Sequence, residues 1–496
     1  MRSLGVLNLR LFLVALIFVL PVAAQAPAGD DKPLADAQEL FRTADFRGAA
    51  AAFKKIIEAK PSPEAFSGMV RSLLKADDVK AADDASQKAM VAFAESALVH
   101  AARGDVYFRR GMIPEAEGEY KAALKLNDQT ARAWLGQGRV DAVYTRYSSS
   151  NTAITKARDL DPEDGDALYE WAIRRHYPDN VAALEKHMAE HRNDEEEERH
   201  EREYIEFLKA LAGRKVWIQS HDVDHTELKL ESLTIGASLT RRGYGLRVRL
   251  NDRANVTLLL DTGTSGVVIT RKLAEKIKAQ KLSEHGIEGV GKSGPARGYR
   301  AMVDKITIGE LEFNDCFIDV TPREIAEVDG LIGTEIFSKY LVTLDTAKSK
   351  LRLDPLPAAP ERGSLPPEPY TQAFTFGHIL LVSTDVGKKS VGLFVVDTGA
   401  NTNTISPEQA KLVPQMRAYN VPVSGVSGTT TSAFIAEDTT LHFGNVHPSG
   451  ERLSSVDLHT ISKNLGVEVS GQIGFSAMQG MKVIIDYRDG LVQFAK

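Results

Sequence analysis

The chain has 496 residues, enough for about three or four domains of roughly 100–200 residues each, and its 43% hydrophobic content can supply each domain with a core. The formal net charge is −6, and no basic stripe stands out, which argues against nucleic acid as the main partner. This charge balance is ordinary for a soluble protein.

The first residues have the pattern of a secretory signal peptide. Two arginines precede an apolar run over residues 11–20, and small residues at 22–24 follow it, so cleavage is expected before Gln25. The run is shorter than the ~20 residues that cross a bilayer, which makes an uncleaved anchor the weaker alternative. The single cysteine, Cys316, lies far from the cleavage site and excludes both a lipoprotein and an internal disulfide. Residues 1–24 are therefore predicted to be a cleaved signal peptide, and the mature protein to be periplasmic.

Helical periodicity dominates the next part of the chain, and small residues recur in it at a constant interval. Gly104 recurs as Gly138, and Ala89 recurs as Ala123 at the same spacing. This period, with small and aromatic residues at fixed positions, resembles the tetratricopeptide repeat, whose unit is about 34 residues long. We predict an all-α solenoid over residues 34–212; an unrelated helical bundle is the alternative.

Solenoids of this kind bind an extended peptide, another protein or a copy of themselves, so a protein partner is expected at the repeats. The charge run at 194–203 predicts the solvated start of a helix. Beyond it, residues 221–225 bring together four potential metal ligands: His221, Asp222, Asp224 and His225. Their alternation is typical of a strand and lacks the helical i,i+4 spacing of a zinc site, so neither a metal nor another cofactor is expected.

After Gly213 the pattern changes to the alternation of strands, and one motif occurs twice. At 258–264 and at 394–400, three apolar residues lead into Asp-Thr-Gly, where glycine permits a tight turn. A second glycine, Gly333 or Gly474, follows the motif aspartate at a similar distance in each copy, and a further aspartate lies equally far beyond each of these glycines. The chain therefore contains a duplicated lobe.

The boundaries of the two lobes follow from this duplication. The first lobe is predicted at 213–354 and the second at 370–496, with a proline-rich linker at 355–369 between them. The predicted fold class is thus multidomain, with an all-α repeat region followed by two all-β lobes.

The duplicated pattern resembles the aspartic peptidases, in the retropepsin-like branch that many bacteria carry, over residues 245–496. The resemblance implies that Asp261 and Asp397 meet at the interface of the lobes and share one proton. The ionised member would activate a water molecule, while the protonated member would polarise the carbonyl of the peptide bond.

The resemblance also assigns roles to the neighbouring residues. Threonines would form hydrogen bonds across the interface, and glycines would donate backbone N–H groups to the carboxylates. A further hydroxyl is present in the first lobe only, since the second lobe has alanine there. The residues that would support the dyad are Thr262, Gly263, Thr264, Thr398, Gly399 and Ala400. Each lobe would also carry a flap over the substrate, formed by Gly289, Val290 and Gly291 in the first lobe and by Val426, Ser427 and Gly428 in the second.

The second lobe departs from the family pattern. Gln472 stands where a second apolar residue is expected, and residues 401–404 are polar. These departures are compatible with a second lobe that has kept its fold but no longer takes part in catalysis.

The predicted function is an exported aspartic endopeptidase acting on unfolded or flexible peptide segments. The alternative is an inactive peptide-binding adaptor. A third possibility, in which each lobe pairs with its twin in another molecule, is disfavoured by the short linker.

Overall fold

The computed structural model describes residues 32–234, 241–287, 296–325, 328–358, 368–413, 416–425 and 428–496. The predicted signal peptide and residues 359–367 of the predicted linker lie outside these ranges. So do five of the predicted flap residues, which are Gly289, Val290, Gly291, Val426 and Ser427.

Eleven helices occupy the described residues from 32 to 211. They are α1 (Lys32–Arg42), α2 (Phe46–Ala59), α3 (Pro63–Lys75), α4 (Val79–Ala92), α5 (Ala97–Arg109), α6 (Ile113–Leu126), α7 (Ala131–Val143), α8 (Tyr147–Leu160), α9 (Gly165–Ala172), α10 (Asp179–Glu190) and α11 (Glu195–Leu211). Helices α3, α5, α7 and α9 begin at residues 63, 97, 131 and 165, so their starts are equally spaced along the chain. The period of the sequence is therefore the period of the structure, and this helical domain resembles tetratricopeptide repeats.

Large aromatic side chains fill the spaces between helices where glycines leave room for them. A Cβ atom at Gly104 would lie 2.6 Å from the ring of Tyr120, and one at Gly136 would lie 2.1 Å from it. The Tyr120 hydroxyl donates a hydrogen bond to Asp105 at 2.8 Å, which satisfies this buried polar group. The small residues of the repeat are thus explained by close packing of helix against helix.

The first helices of the helical domain contact its last helices. Arg71 in α3 forms ion pairs with Asp164 at 2.9 Å and Asp166 at 3.4 Å, beside and in α9. At the rim, the backbone N–H of Arg192 donates to the carbonyl of Arg42 at 3.1 Å. These contacts join the first helices to the last ones around a cavity of about 640 Å³.

The rest of the described chain is mainly β-structure. Its strands are β1 (Ile218–Gln219), β2 (Thr226–Thr234), β3 (Arg241–Leu250), β4 (Ala254–Leu260), β5 (Val267–Thr270), β6 (Gln280–Ile287), β7 (Ala296–Ile308), β8 (Leu311–Thr321), β9 (Gly330–Ile332), β10 (Tyr340–Asp345), β11 (Lys350–Pro355), β12 (Thr371–Gln372), β13 (Phe374–Phe376), β14 (Ile379–Val386), β15 (Lys389–Val396), β16 (Asn403–Ile405), β17 (Arg417–Gly425), β18 (Gly428–Thr439), β19 (Leu441–Phe443), β20 (Glu451–Ser455), β21 (Gly471–Ile473), β22 (Lys482–Asp486) and β23 (Leu491–Ala495). The short helices are α12 (Arg271–Ile277), α13 (Pro407–Ala410), α14 (His459–Leu465) and α15 (Phe475–Met478), with a 3₁₀ helix at Thr334–Phe337. The predicted fold class, helical repeats followed by two β-lobes, is confirmed.

The two lobes share a sheet. Strand β22, near the end of the chain, pairs with β10 of the first lobe, where Val342 lies opposite Ile485, and β23 pairs with the other edge of β22. The run β12-β23-β22-β10-β11-β2 therefore contains strands from both lobes, and it continues through β3 and β4 into the first lobe. A second sheet, in the order β13-β14-β15-β21-β16-β20-β18-β17, belongs to the second lobe. Because backbone hydrogen bonds run between the lobes, their relative position is fixed within one chain.

The helical domain packs against the second lobe. Val140 and Val143 share a buried apolar cluster with Leu381, Leu393 and Val395. Two aromatic pairs extend this contact, Phe108 with Phe376 at a centroid distance of 6.0 Å and Tyr144 with Phe374 at 5.6 Å. We call this contact the helix–lobe interface.

The last helix of that domain, α11, packs against the first lobe. Phe207 contacts Phe317 of β8 edge to face at 5.1 Å, and Glu203 accepts a hydrogen bond from the backbone of Gly286 in β6 at 3.0 Å. The helical domain therefore contacts both lobes. Within the described ranges, no helix is long and apolar enough to cross a membrane.

Candidate active site

Two buried strands deliver the two motif aspartates to one place. β4 ends at Leu260 and β15 at Val396, and each pairs in parallel with a short strand, β9 or β21, that comes just before Gly333 or Gly474. The backbone N–H of Asp261 donates to the carbonyl of Ile332 at 2.9 Å, and that of Asp397 to Ile473 at 3.0 Å. The apolar-Gly segment of each lobe thus holds its aspartate loop in place.

The two loops are joined by a symmetric set of hydrogen bonds between threonines. The Thr262 hydroxyl donates to the carbonyl of Val396 at 2.6 Å and accepts from the N–H of Thr398 at 3.0 Å. The Thr398 hydroxyl donates to the carbonyl of Leu260 at 2.9 Å and accepts from the N–H of Thr262 at 3.1 Å. Both threonines are buried, at 2% exposure each, so these bonds are shielded from water and hold the loops rigidly.

The carboxylate of Asp261 is oriented by its own loop. One oxygen, Oδ1, accepts from the N–H of Gly263 at 2.8 Å, and the other, Oδ2, accepts from the hydroxyl of Thr264 at 2.7 Å. The Asp261 side chain is therefore fixed at both oxygens.

The carboxylate of Asp397 is oriented differently. Oδ1 accepts from the backbone N–H groups of Gly399 at 2.9 Å and Ala400 at 2.8 Å. Ala400 has no hydroxyl, and the donor to Oδ2 comes instead from the side-chain amide of Gln472 at 2.9 Å. The Gln472 carbonyl accepts from the Thr404 hydroxyl at 3.0 Å, so the amide cannot turn over without losing a hydrogen bond.

Gln472 is therefore a site residue whose role the sequence analysis missed. The family pattern has an apolar residue at this position, so the sequence alone marked Gln472 as a departure from the pattern. The signal that could have identified it is its coincidence with Ala400, which lacks the hydroxyl found at Thr264, and with the polar residue Thr404.

At two positions of the aspartate loops, only glycine leaves enough space for the carboxyl group of the opposite loop. A Cβ atom at Gly399 would lie 2.3 Å from Cγ of Asp261, and a Cβ atom at Gly263 would lie 3.1 Å from Cγ of Asp397. Each loop therefore packs its glycine against the carboxyl of the other loop. The two carboxyl groups face each other in one shared site.

The electrostatics of the site follow from this proximity. Burial and the neighbouring Asp261 carboxylate raise the pKa of Asp397 to about 8. The two backbone hydrogen bonds to Asp397 favour its ionised form and lower the pKa, but they do not offset this rise. Because like charges so close together cannot both form easily, the pair retains one proton near neutral pH.

A third carboxyl group lies behind the first loop. Glu335, in the 3₁₀ helix, accepts a hydrogen bond from the backbone of Gly266, and burial together with the charge of Asp261 raises its pKa to about 7. Nothing in the local sequence pattern around Glu335 distinguishes it from an ordinary exposed glutamate, so the sequence alone does not predict its place behind the loop.

The remaining predicted site residues are placed as follows. Gly428 begins β18, which forms an antiparallel hairpin with β17; β6 and β7 form the corresponding hairpin of the first lobe. His225 lies against Asp354, with Nδ1 at 2.8 Å from the carboxylate. Among the residues that the structure describes, no three histidine, cysteine or acidic side chains lie close enough to bind a metal ion.

One family model matches part of the first lobe. Residues 246–336 match the family model described as aspartyl protease, so this part of the chain is an aspartyl protease domain. The match includes Asp261 and ends before Asp397. No curated protein matches the sequence.

Two solved structures are similar to parts of the chain. The aspartic proteinase from Irpex lacteus is 14% identical, and the similarity covers 55% of this chain and 97% of that one with a TM-score of 0.36. A thermophilic TPR protein from Thermus thermophilus is 18% identical, and the similarity covers 34% of this chain and 95% of that one with a TM-score of 0.28.

Proposed function

We propose that this chain, whose residues 246–336 are an aspartyl protease domain, is an exported aspartic endopeptidase that hydrolyses peptide bonds with Asp261 and Asp397. The observation that carries the proposal is the convergence of both Asp-Thr-Gly loops. Each carboxyl group lies against the glycine of the opposite loop, and buried threonine hydrogen bonds hold the loops together.

The geometry supports a mechanism without a covalent intermediate. An amide is a poor electrophile and water a poor nucleophile, so one group must take a proton from water while another supplies one to the carbonyl oxygen. A pair of carboxyl groups that shares a single proton can do both. The ionised member accepts the proton of the attacking water, and the protonated member donates its proton to the amide carbonyl oxygen, which gives a gem-diol. The carboxyl group that took the water proton then gives it to the amide nitrogen as the C–N bond breaks, while the other carboxylate takes a proton back from the gem-diol. The products are a carboxylic acid and an amine, and the pair again holds one proton.

The proposal includes export and a role for the helical domain. Export is supported by the signal-peptide pattern of residues 1–24. The helical domain contacts both lobes, and we propose that its remaining surface binds substrate or a partner protein. Amino-terminal sequencing of the protein recovered from the periplasm tests export, and we expect Gln25 as the first residue.

The experiment that tests catalysis is cleavage of an unstructured protein, read by mass spectrometry, over a range of pH. We expect the wild type to cut, and Asp261→Asn and Asp397→Asn each to lose activity by at least about 10³-fold. Asp252→Asn, at an exposed carboxylate of the same lobe, is the matched control and retains activity. A folded wild type that cuts nothing at any pH would overturn the proposal.

Mixing the two inactive variants distinguishes a site within one chain from a site between chains. If each active site were built from the first lobe of one molecule and the second lobe of another, an equimolar mixture of Asp261→Asn and Asp397→Asn would regain part of the activity. If each lobe paired with its twin, each single variant would instead keep one intact type of site and part of its activity. Because strands of both lobes are paired within one sheet of one chain, we expect no recovery.

A further inference from the structure

The loop that carries Asp261 is held from behind by the segment that begins at Gly333. The backbone N–H of Gly333 donates to the carbonyl of Gly266 at 2.8 Å, and the N–H of Gly266 donates to Oε1 of Glu335. Both backbone groups of Gly266 are therefore bonded to this one segment. The same loop carries Thr264, whose hydroxyl donates to Oδ2 of Asp261, so the segment supports a group that orients the carboxylate.

The Glu335 carboxyl is itself held close to the loop. A Cβ atom at Gly333 would lie 2.1 Å from Oε2 of Glu335 and 2.3 Å from the carbonyl oxygen of Thr264, so glycine is needed there for the carboxyl to lie against the loop. On the other side, the Thr334 hydroxyl shares a hydrogen bond with the hydroxyl of Tyr487, a buried residue that directly follows β22. The 3₁₀ helix that carries Glu335 is therefore fixed between the Asp261 loop and the last strands of the chain.

A negative charge on Glu335 acts on the dyad. The groups that face its carboxyl are the carboxyl of Asp261, the hydroxyls of Ser265 and Tyr487, and the backbone N–H of Gly266. Among the residues that the structure describes, no basic side chain forms an ion pair with it. Burial and the charge of Asp261 raise the pKa of Glu335 to about 7. Glu335 is therefore neutral in acid and negatively charged in alkali, where it opposes a second negative charge on the dyad.

We propose that Glu335 is a positioning residue of the peptidase reaction, which holds the Asp261 loop in place and, once ionised, makes the dyad keep its shared proton to a higher pH. Since like charges repel, the charge on Glu335 makes the shared proton harder to remove. The singly protonated pair, which is the active form, then persists further into the alkaline range. The inference rests on the proposed peptidase function and names a regulation of that same site by pH.

The test compares the pH–rate profile of Glu335→Gln with that of the wild type. The amide keeps the size of the side chain and an oxygen that can accept from Gly266, but it carries no charge at any pH. We expect equal kcat/KM at about pH 5, where the wild-type Glu335 is also neutral. We expect the alkaline limit to lie about 0.5–1 unit lower in the variant, which makes its kcat/KM about 3–10-fold lower at about pH 9. Glu310→Gln, at an exposed carboxylate between β7 and β8, is the matched control and should leave the profile unchanged.

The direction of this change separates the proposed role from a merely structural one. Glu335→Gln removes a group that destabilises the fold when it ionises, so the variant is expected to be more stable than the wild type in alkali while being less active there. The support of the loop is tested by Glu335→Ala, which removes the acceptor for Gly266. We expect its kcat at about pH 5 to be about 10–100-fold lower than that of Glu335→Gln, with KM within about twofold. If Glu335→Ala does not fold, Glu335→Asp withdraws the carboxyl from Gly266 and should lower kcat in the same direction.

Two outcomes would overturn the inference while the proposed function stands. One is an alkaline limit of Glu335→Gln that equals or exceeds that of the wild type, and the other is a wild-type kcat in the variant that lacks the acceptor for Gly266. A folded wild type that cuts nothing would overturn the proposed function instead. The effect on the dyad is then measured by NMR titration of isotope-labelled aspartate carboxyl groups, with the Asp397 signal identified by its loss in Asp397→Asn. A lower pKa of this signal in Glu335→Gln would support the inference, and an unchanged or higher pKa would overturn it.

Discussion

At the scale of single residues, the proton shared by the dyad predicts a pH limit for activity. Burial and the nearby Asp261 raise the pKa of Asp397 to about 8, so the pair loses its shared proton as pH rises through that value. We therefore expect kcat/KM to fall as pH rises through about 8, tenfold for each further unit. A pH–rate profile on one peptide measures this. A rate that stays constant from about pH 6 to about pH 10 would contradict the shared-proton mechanism.

Gln472 should lower the pH above which activity falls. Its amide donates to Oδ2 of Asp397, and a hydrogen bond to a charged group contributes roughly 1.5–3 kcal/mol in favour of the ionised form. Gln472→Leu removes the donor, and leucine is the residue found at the corresponding position of the first lobe, Leu331. We expect kcat to fall about 10-fold and the alkaline limit of the pH–rate profile to move up by about one unit.

The control for that variant is Thr404→Val. It removes the hydrogen bond to the Gln472 carbonyl but leaves the amide donor in place. We expect a smaller loss of kcat and no displacement of the alkaline limit. If Gln472→Leu lowers kcat and leaves the limit where it was, Gln472 only supports the loop and does not act on the charge of Asp397.

At the scale of elements, the 3₁₀ helix at Thr334–Phe337 carries a partly buried acid, Glu335. The folded state raises the pKa of Glu335 to about 7, so folding takes up a proton between the ordinary pKa of glutamate and about pH 7. The resulting stability is fully present in acid and is lost as pH rises through about 7. The loss for this one group is on the order of 3 kcal/mol, since the pKa rises from 4.5 to about 7 and each unit corresponds to about 1.4 kcal/mol.

Glu335→Gln should remove that part of the pH dependence. The variant has no proton to lose, and its amide oxygen can still accept from Gly266. We expect its free energy of unfolding to change less than that of the wild type between about pH 5 and about pH 8, and to exceed the wild-type value at about pH 8. Urea unfolding at both pH values measures this. Parallel losses of stability in the two proteins would show that Glu335 is not the titrating group.

Local patterns predicted the elements of this chain better than they predicted its side-chain contacts. The repeat period predicted the spacing of the helix starts, and the two Asp-Thr-Gly motifs predicted strands that end at a shared site, because each signal is carried by a regular local pattern. Gln472 and Glu335 gave no such signal, since their roles depend on groups brought close by folding. The pairing of β22 with β10 joins segments that are distant in the sequence, and no local pattern specifies that partner.

At the scale of the whole molecule, the helical domain and the second lobe form one packed unit. The second lobe presents Leu381, Leu393 and Phe374 to the helices, and all three are at least nine-tenths buried. Without the helices, this apolar surface would be exposed to water and would favour aggregation. The domains are therefore expected to unfold together.

Weakening the helix–lobe interface should separate the two transitions. Phe108→Ala with Tyr144→Ala removes the aromatic pairs with Phe376 and Phe374, at a cost on the order of 2–5 kcal/mol for the double change. We expect one calorimetric transition for the wild type. For the double variant we expect two transitions at different temperatures.

Tyr147→Ala is the control, because this aromatic residue of the same helical domain is 53% exposed and should leave the single transition intact. If the wild type already shows two transitions, the helical domain and the lobe are independent, and the interface contributes little to stability. If the double variant still unfolds in one transition, contacts elsewhere suffice to couple the domains. The contact of α11 with β6 and β8 is then the next one to remove, through Phe207→Ala.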